Sequence, residues 1–345
     1  SDQTPINSVI FSHEDGTRLG VEHLVMMTGD NEKTARAVAA AVGVDAYYAG
    51  VLPEDKANFI RREKEMGRTV IMVGDGVNDV PALTSADVGI VVDSAAAESK
   101  KVADLVLLER DLGVVAEGVR EGRASFANAS KYIRIASSSN FGNICSVAAS
   151  SIFLPFLPAT ATQLLLLNLL YDATCLALSW DNVDGEEIAR PKAWSGKGLG
   201  SFMLHFGFAS SAFDIITFAI LLLGVCPAVC GGSFATLGAA GQAAFIATFQ
   251  TGWLLECAWT ESLVLLVLRA RNVRHGDRPC RPLVIMVATM LIASALLALS
   301  PAAQLLGLAT LPMWYLGIVA LLSVLYLVVV STIKRVYLSR SSSLF

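Results

Sequence analysis

From Ile133 onward the chain carries six long apolar stretches, at about 133–153, 160–179, 202–224, 243–268, 282–300 and 311–333. Each is near or above the roughly 20 residues that a helix needs to cross the hydrocarbon layer of a bilayer. Charge is divided along the chain in the same way. Residues 1–130 hold 13 Lys+Arg and 21 Asp+Glu, whereas residues 131–345 hold 13 Lys+Arg and only nine Asp+Glu. The overall 16% of charged residues falls well below the roughly 25% of ordinary soluble domains. A soluble domain fused to an all-α membrane domain of six transmembrane helices is expected. Neither half has a basic patch interleaved with aromatics, so a nucleic-acid partner is excluded.

Six crossings return the chain to its starting side, and the loops then predict its orientation. The loops on the starting side contain Lys131 and Arg134, then Arg190, Lys192 and Lys197, then Arg269, Arg271, Arg274, Arg278 and Arg281, and finally Lys334, Arg335 and Arg340. The opposite loops, near 154–159, 225–242 and 301–310, contain no Lys or Arg. By the positive-inside bias, the soluble domain and both termini face the cytosol, and the chain is a multi-pass protein of the cell membrane. No signal peptide is read in Ser1–Gly20, which is polar and irregular.

Polar groups inside the bilayer are costly unless paired or hydrated, so they are informative. The first stretch carries Asn140 and Asn143 in SSSNFGN, and the second carries Asn168 and Asp172 in NLLYDATC. The i,i+3 and i,i+4 spacings put each pair on one helix face. The short connection LPFLPA makes the two helices antiparallel neighbours. One carboxylate with three amide oxygens is a hard donor set, suited to Mg2+ or Ca2+ rather than copper or zinc. Each Asn taken singly reads equally well as a group that joins helices by hydrogen bonds. Asp172 reads as functional, because a lone mid-helix carboxylate has no cheap structural role. Asp214, Glu256 and Glu261 also fall within apolar stretches. Glu256 reads as a further ligand or a proton carrier, while Asp214 and Glu261 read equally as paired polar groups. Cys226 and Cys230 read as small apolar loop residues or, on an oxidising side, as a disulfide.

In the front half, LVMMT (24–28) and TVIMV (69–73) are short, partly β-branched runs, each followed by a Gly-Asp turn. Asn31–Val42 reads as a helix stopped by Gly43, and Asp55–Met66 as another stopped by Gly67. Alternating strands and helices predict a parallel α/β sheet that gathers ligands at the carboxyl ends of its strands. Thr28-Gly29-Asp30 and Gly74-Asp75-Gly76-Val77-Asn78-Asp79 stand at those ends, and Lys56 opens the helix between them. Chemically this is most of a phosphoryl-transfer site. A hydroxyl and backbone amides hold a phosphoryl oxygen, Lys56 neutralises its charge, and Asp75 and Asp79 bind or orient Mg2+.

The ordered set TGDNEKTA, LPEDK and GDGVNDVPAL resembles the phosphorylation domain of P-type ATPases, built on the haloacid-dehalogenase fold. The resemblance implies that Thr28, Gly29 and Asp30 form the TGD motif and that Lys56 contacts phosphate. It further implies that Asp75 ligates the catalytic Mg2+, with Asn78 and Asp79 beside it. GVREGRASFANASKYIRIASSSNFGN, FLPFLP, NLLYDATCLALSWDNVD and RPKAW resemble the bacterial magnesium-translocating branch. That branch implies Asn140, Asn143, Asn168 and Asp172 as the site of the transported cation, and Mg2+ import driven by ATP. The resemblance runs from about residue 24 to the end.

The chain departs from the family pattern in three ways. It contains no DKTG, the motif whose aspartate family members phosphorylate, which predicts a C-terminal part of a pump that is inactive alone and partnered by a missing N-terminal half that brings ATP. Residues 1–23 form an atypical segment ahead of a phosphorylation-domain portion (24–125) and a membrane domain (126–345). The stretch from VGVDAYYAG to GDGVND is similar to the heavy-metal branch, which predicts a junction near GDGVND. Two other functions remain open at this point, a non-catalytic regulatory or partner subunit and a heavy-metal exporter. Against the exporter, the chain has no Cys-Pro-Cys, and its single Cys-Pro is Cys226-Pro227.

Overall fold

The computed structural model describes residues 23–108, 113–189, 192, 196, 198–270 and 278–340. The atypical segment up to residue 22 and the loop residues Arg190, Lys197, Arg271 and Arg274 lie outside the described residues. The chain divides into two compact units, one made of residues 1–123 and 188–192, the other of residues 124–187 and 193–345.

In the first unit, β1 (Val25–Met27), α1 (Glu32–Val42) and β2 (Ala46–Tyr48) form a βαβ turn with β1 and β2 parallel. Asn31 caps α1 by accepting from the Thr34 N–H at 3.1 Å, leaving one fewer orphan donor in the first turn. Gly43 ends α1 at φ 74°, a left-handed conformation that suits glycine. α2 (Pro53–Glu65) has proline in its first turn and places Lys56 on its buried side. A second sheet holds β3 (Ile71–Gly74), β4 (Val88–Val92) and β5 (Leu105–Leu107) in parallel order, with α3 (Val80–Ser85) and α4 (Ala97–Val102) between them. Asp87 ties the start of this sheet. The Val70 N–H and the Lys64 ammonium hold its carboxyl below the usual range.

The sequence predicts one parallel sheet through 24–28 and 69–73. Among the described residues there are two, β1–β2 and β3–β4–β5, and β1 is not hydrogen-bonded to β3. Apolar packing still joins them, because Leu24 lies against Met26 and Ala35 on one side and against Ile90, Leu107 and Val115 on the other.

α5 (Gly113–Ser150) runs across the division between the units. The second unit continues with α6 (Ala161–Cys175), extended by a 3-10 turn to Trp180, and the short α7 (Gly185–Ile188) begins beyond it. Then come α8 (Leu199–Cys230), α9 (Ala239–Leu268), α10 (Arg281–Leu299) and α11 (Met313–Arg340). Two π-helical turns, Met203–Gly207 and Leu221–Val225, interrupt α8.

Among the described residues, five helices are long and apolar enough to cross a membrane: Ala161–Trp180, Leu199–Cys230, Ala239–Leu268, Arg281–Leu299 and Met313–Ser339. The expected span at 133–153 falls in α5 and is not one of the five. Arg134, the serine run and the two asparagines dilute its apolar character. The most buried helix is α9, whose core residues Phe245, Phe249 and Trp253 pack with Phe218 of α8 and Tyr315 of α11. All six cysteines are free thiols, so Cys226 and Cys230 form no disulfide.

Candidate functional site

At the carboxyl end of β1, Thr28 is buried and its hydroxyl donates to Asp30 Oδ2 at 3.1 Å, while the Asp30 N–H donates back to Thr28 Oγ1 at 3.1 Å. The Gly50 N–H donates to the Asp30 carbonyl and the Val51 N–H to the Thr28 carbonyl, which fixes the turn. Gly29 and Asp30 are exposed.

At the end of β3 the chain turns into a 3-10 segment, Val77–Asp79. Asp79 folds back into the unit, and its Oδ1 accepts from Lys56 Nζ at 2.8 Å, with both side chains buried. Its Oδ2 lies 3.3 Å from the Gly76 N–H, which donates to it. This return path needs glycine at 74, since a Cβ there would stand 2.7 Å from Asp79 Oδ2. Ser99 of α4 steadies the turn by donating to the Gly76 carbonyl at 2.8 Å. Asn78 is exposed and Asp75 half-buried.

Lys56 and Asp79, 23 positions apart, are therefore brought together. No hydrogen bond among the described residues links Thr28 or Asp30 to Lys56 or Asp75. The two carboxylates of GDGVND differ in state: Asp79 neutralises Lys56, whereas Asp75 makes no side-chain bond to the described residues. Asp75 has the free oxygens that a hard cation takes.

In the second unit the four expected cation residues differ in burial and in hydrogen bonding. Asn140 is exposed, Asn168 is half-buried, and Asp172 is exposed and accepts from Tyr132 of α5 at 3.1 Å. Asn143 is buried, and its Nδ2 donates to Glu261 Oε1 of α9 at 2.8 Å. No hydrogen bond joins any two of the four among the described residues. Asn143 Oδ1 and Glu261 Oε2 are buried acceptors with no hydrogen-bond partner.

Sequence reasoning left Glu261 and Asp214 open between transport and pairing, and it missed Ser146. The signal for Ser146 was its i,i+3 relation to Asn143, which puts both on one face of α5. The close packing of α5 on α8 has its own sequence cause. A Cβ on Gly142 would stand 3.0 Å from the Gly207 carbonyl, and one on Gly207 would stand 2.7 Å from Phe141. Small residues of this kind let helix backbones approach closely in membranes. One turn beyond that contact, Ser146 Oγ lies 2.5 Å from Asp214 Oδ2.

Comparison with known proteins decides the family. Residues 156–336 match the family model described as the C-terminus of cation-transporting ATPases. The chain belongs to the P-type cation-transporting ATPases. Residues 17–87 and 58–119 match two models of haloacid dehalogenase-like hydrolases, in keeping with the parallel strands of the first unit. The magnesium-transporting ATPase, P-type 1, of Salmonella typhimurium is 35% identical over 346 residues, covering 93% of this chain and 37% of the relative. The protein of the same name from Escherichia coli is 36% identical over 341 residues, covering 91% of this chain and 36% of the relative. A copper-exporting P-type ATPase of Staphylococcus haemolyticus is 39% identical over 140 residues, covering 41% of this chain and 18% of that protein. The chain spans little more than a third of the length of its magnesium-transporting relatives.

Proposed function

We propose that this chain is the C-terminal part of an ATP-driven magnesium transporter of the cell membrane, one that imports Mg2+ and keeps its phosphorylation unit in the cytosol. The observation that carries the reading is that similarity to magnesium-transporting relatives extends over 93% of the chain, while similarity to a copper exporter extends over 41%. Donor chemistry supports it. Asn143 Oδ1 and Glu261 Oε2 are buried, unpartnered oxygens, and Asp172 offers a carboxylate on the neighbouring α6. Magnesium prefers six oxygen ligands and keeps part of its water, so a few protein oxygens are a suitable set. Soft metals prefer thiolates.

In the phosphorylation unit, Thr28 and the turn amides would hold the phosphoryl oxygens. Lys56 would offset their charge, and Asp79 keeps that lysine in place. Asp75 would hold the catalytic Mg2+, which when bound spreads the charge of the transferring phosphoryl group. ATP and the acceptor aspartate would come from the part of the pump that this sequence does not include.

The test is growth of a magnesium-transport-deficient bacterium on low Mg2+, with the pump restored to full length. Asp172→Asn changes charge with little change in shape, and it is expected to abolish growth while membrane insertion stays normal. Asn143→Ala is expected to weaken growth less, because water can replace one neutral donor. Normal growth of the Asp172→Asn pump would remove Asp172 from the cation site.

A further inference from the structure

Asp214 of α8 and Glu256 of α9 sit in the interior of the membrane unit, 2% and 1% exposed. Their carboxyl oxygens and Cys257 Sγ lie within 4.8 Å of one another. Two buried carboxyls this close, with no cation beside them, favour a proton on one of them. The surroundings decide which. Trp253 Nε1–H donates to Asp214 Oδ1 at 2.9 Å, and the Cys257 thiol reaches the same oxygen at 3.6 Å. On the other oxygen, Ser146 Oγ stands 2.5 Å from Asp214 Oδ2. Ser146 Oγ also lies 2.9 Å from the Gly142 carbonyl, and the shorter of its two contacts is the one to Asp214. Asp214 thus meets N–H, O–H and S–H donors, the environment of an ionised carboxylate. Among the described residues the Glu256 carboxyl has only the longer contact with the Cys257 thiol, at 4.0 Å.

Nor does any cation compensate a second negative charge. Among the described residues, no Lys, Arg or His forms a hydrogen bond or ion pair with either carboxyl. The titratable groups facing the pair are Glu261 and Cys257 on α9 and Tyr315 and Tyr326 on α11. Tyr171 and Asp172 on α6 lie beyond Glu261. Cys226 lies near Tyr315, and His205 in the first π turn of α8 is bonded to the Ser201 carbonyl. All the groups near the pair are acidic or neutral. Two ionised carboxylates in contact, without a counter-cation and away from water, cost more than either proton affinity allows. Thr217 Oγ1, three residues along the same face of α8 from Asp214, is buried and unpartnered, a spare hydroxyl on that face.

We infer that Asp214 and Glu256 form an intramembrane proton site, with one exchangeable proton carried on Glu256 and directed at Asp214. The ligand is H+ rather than a metal ion, because the donors that hold Asp214 occupy the oxygens a metal would need. In the loading step a hydronium gives its proton to a Glu256 oxygen and leaves as water. In the release step that O–H bond breaks to water or hydroxide and leaves the carboxylate. Among the described residues no hydrogen bond joins this pair to the Asn143–Glu261 contact, and its test requires no transport.

The experiment is infrared spectroscopy of the intact chain in lipid nanodiscs, in light and heavy water, across a pH series. Expected is a C=O stretch of a neutral carboxyl that shifts on deuteration, fades as pH is raised and is lost in Glu256→Gln. The amide introduced by Glu256→Gln can still donate to Asp214, so this variant is expected to unfold thermally at the same point as the unmutated chain. Asp214→Asn is expected to shift the same band, because it replaces the anion the proton faces. A band unchanged by Glu256→Gln would mean that Glu256 is not the proton carrier and would overturn the inference. Loss of the band from the unmutated chain on adding Mg2+ alone would also overturn it, by making the pair a cation site.

Discussion

Gly74 and Asp75 are adjacent, yet the structure assigns them opposite kinds of sensitivity. A Cβ at 74 would stand 2.7 Å from Asp79 Oδ2, inside van der Waals contact, so Gly74→Ala pushes Asp79 away from Lys56. Overpacking of this kind costs about 1–3 kcal/mol. It is expected as a lower unfolding temperature of the purified chain. Asp75 is half-buried and makes no side-chain bond that folding needs. Asp75→Asn is therefore expected to leave the unfolding temperature unchanged. In the full-length pump it is expected to lower phosphoenzyme formation by about two orders of magnitude, the usual scale for losing one transition-state charge contact. Equal loss of stability in both variants would mean that Asp75 has a structural role.

At the scale of elements, the ends of the membrane helices are joined by one buried ionic knot. Asp181 follows the 3-10 turn after α6, and its Oδ2 accepts from Arg269 Nε at the end of α9 at 2.6 Å. Lys131 Nζ of α5 lies 3.8 Å from the same oxygen, and the Cys280 N–H ahead of α10 donates to Oδ1 at 3.2 Å. Four helices meet on one carboxylate that is fully buried. Removing one member of a buried pair costs about 3–5 kcal/mol, whereas replacing both with well-packed apolar groups is often neutral. Asp181→Asn is expected to lower the thermal stability of the chain strongly, and the double variant Asp181→Leu with Arg269→Met to recover part of it, since Lys131 and the Cys280 N–H still lose their acceptor. A melting curve of each in detergent checks this. None of this was legible in sequence, because Asp181 and Arg269 are 88 positions apart. The same holds for Asn143 and Glu261, at 118 positions. Local signals were legible: a helix from about Asn31, Gly43 as its stop, and the strands before TGD and GDGVND. Periodicity and turn chemistry act within a few residues, whereas strand pairing and interhelical contacts are set by tertiary packing. That difference explains why the pairing of the strands into two sheets among the described residues was not legible.

For the molecule as a whole, the decisive fact is that the residues proposed to handle the phosphoryl group have no acceptor among them. Covalent catalysis needs a nucleophile, and no DKTG occurs in the 345 residues. Among the described residues β1 and β3 are each paired on one side only, and an unpaired strand edge is a template for a further strand. A segment that adds there would meet Thr28 and Asp75, which stand at the carboxyl ends of these two strands. The 345-residue chain alone, incubated with radiolabelled ATP and precipitated with acid, is therefore expected to carry no more label than a heat-killed control. Co-expression with the portion of the pump that carries DKTG is expected to produce an acid-stable, hydroxylamine-sensitive phosphoenzyme. Asp75→Asn in this chain is expected to suppress it even though the phosphorylated residue lies on the other polypeptide. Stable labelling of the chain by itself would show an acceptor within these residues and would break the division of labour argued here.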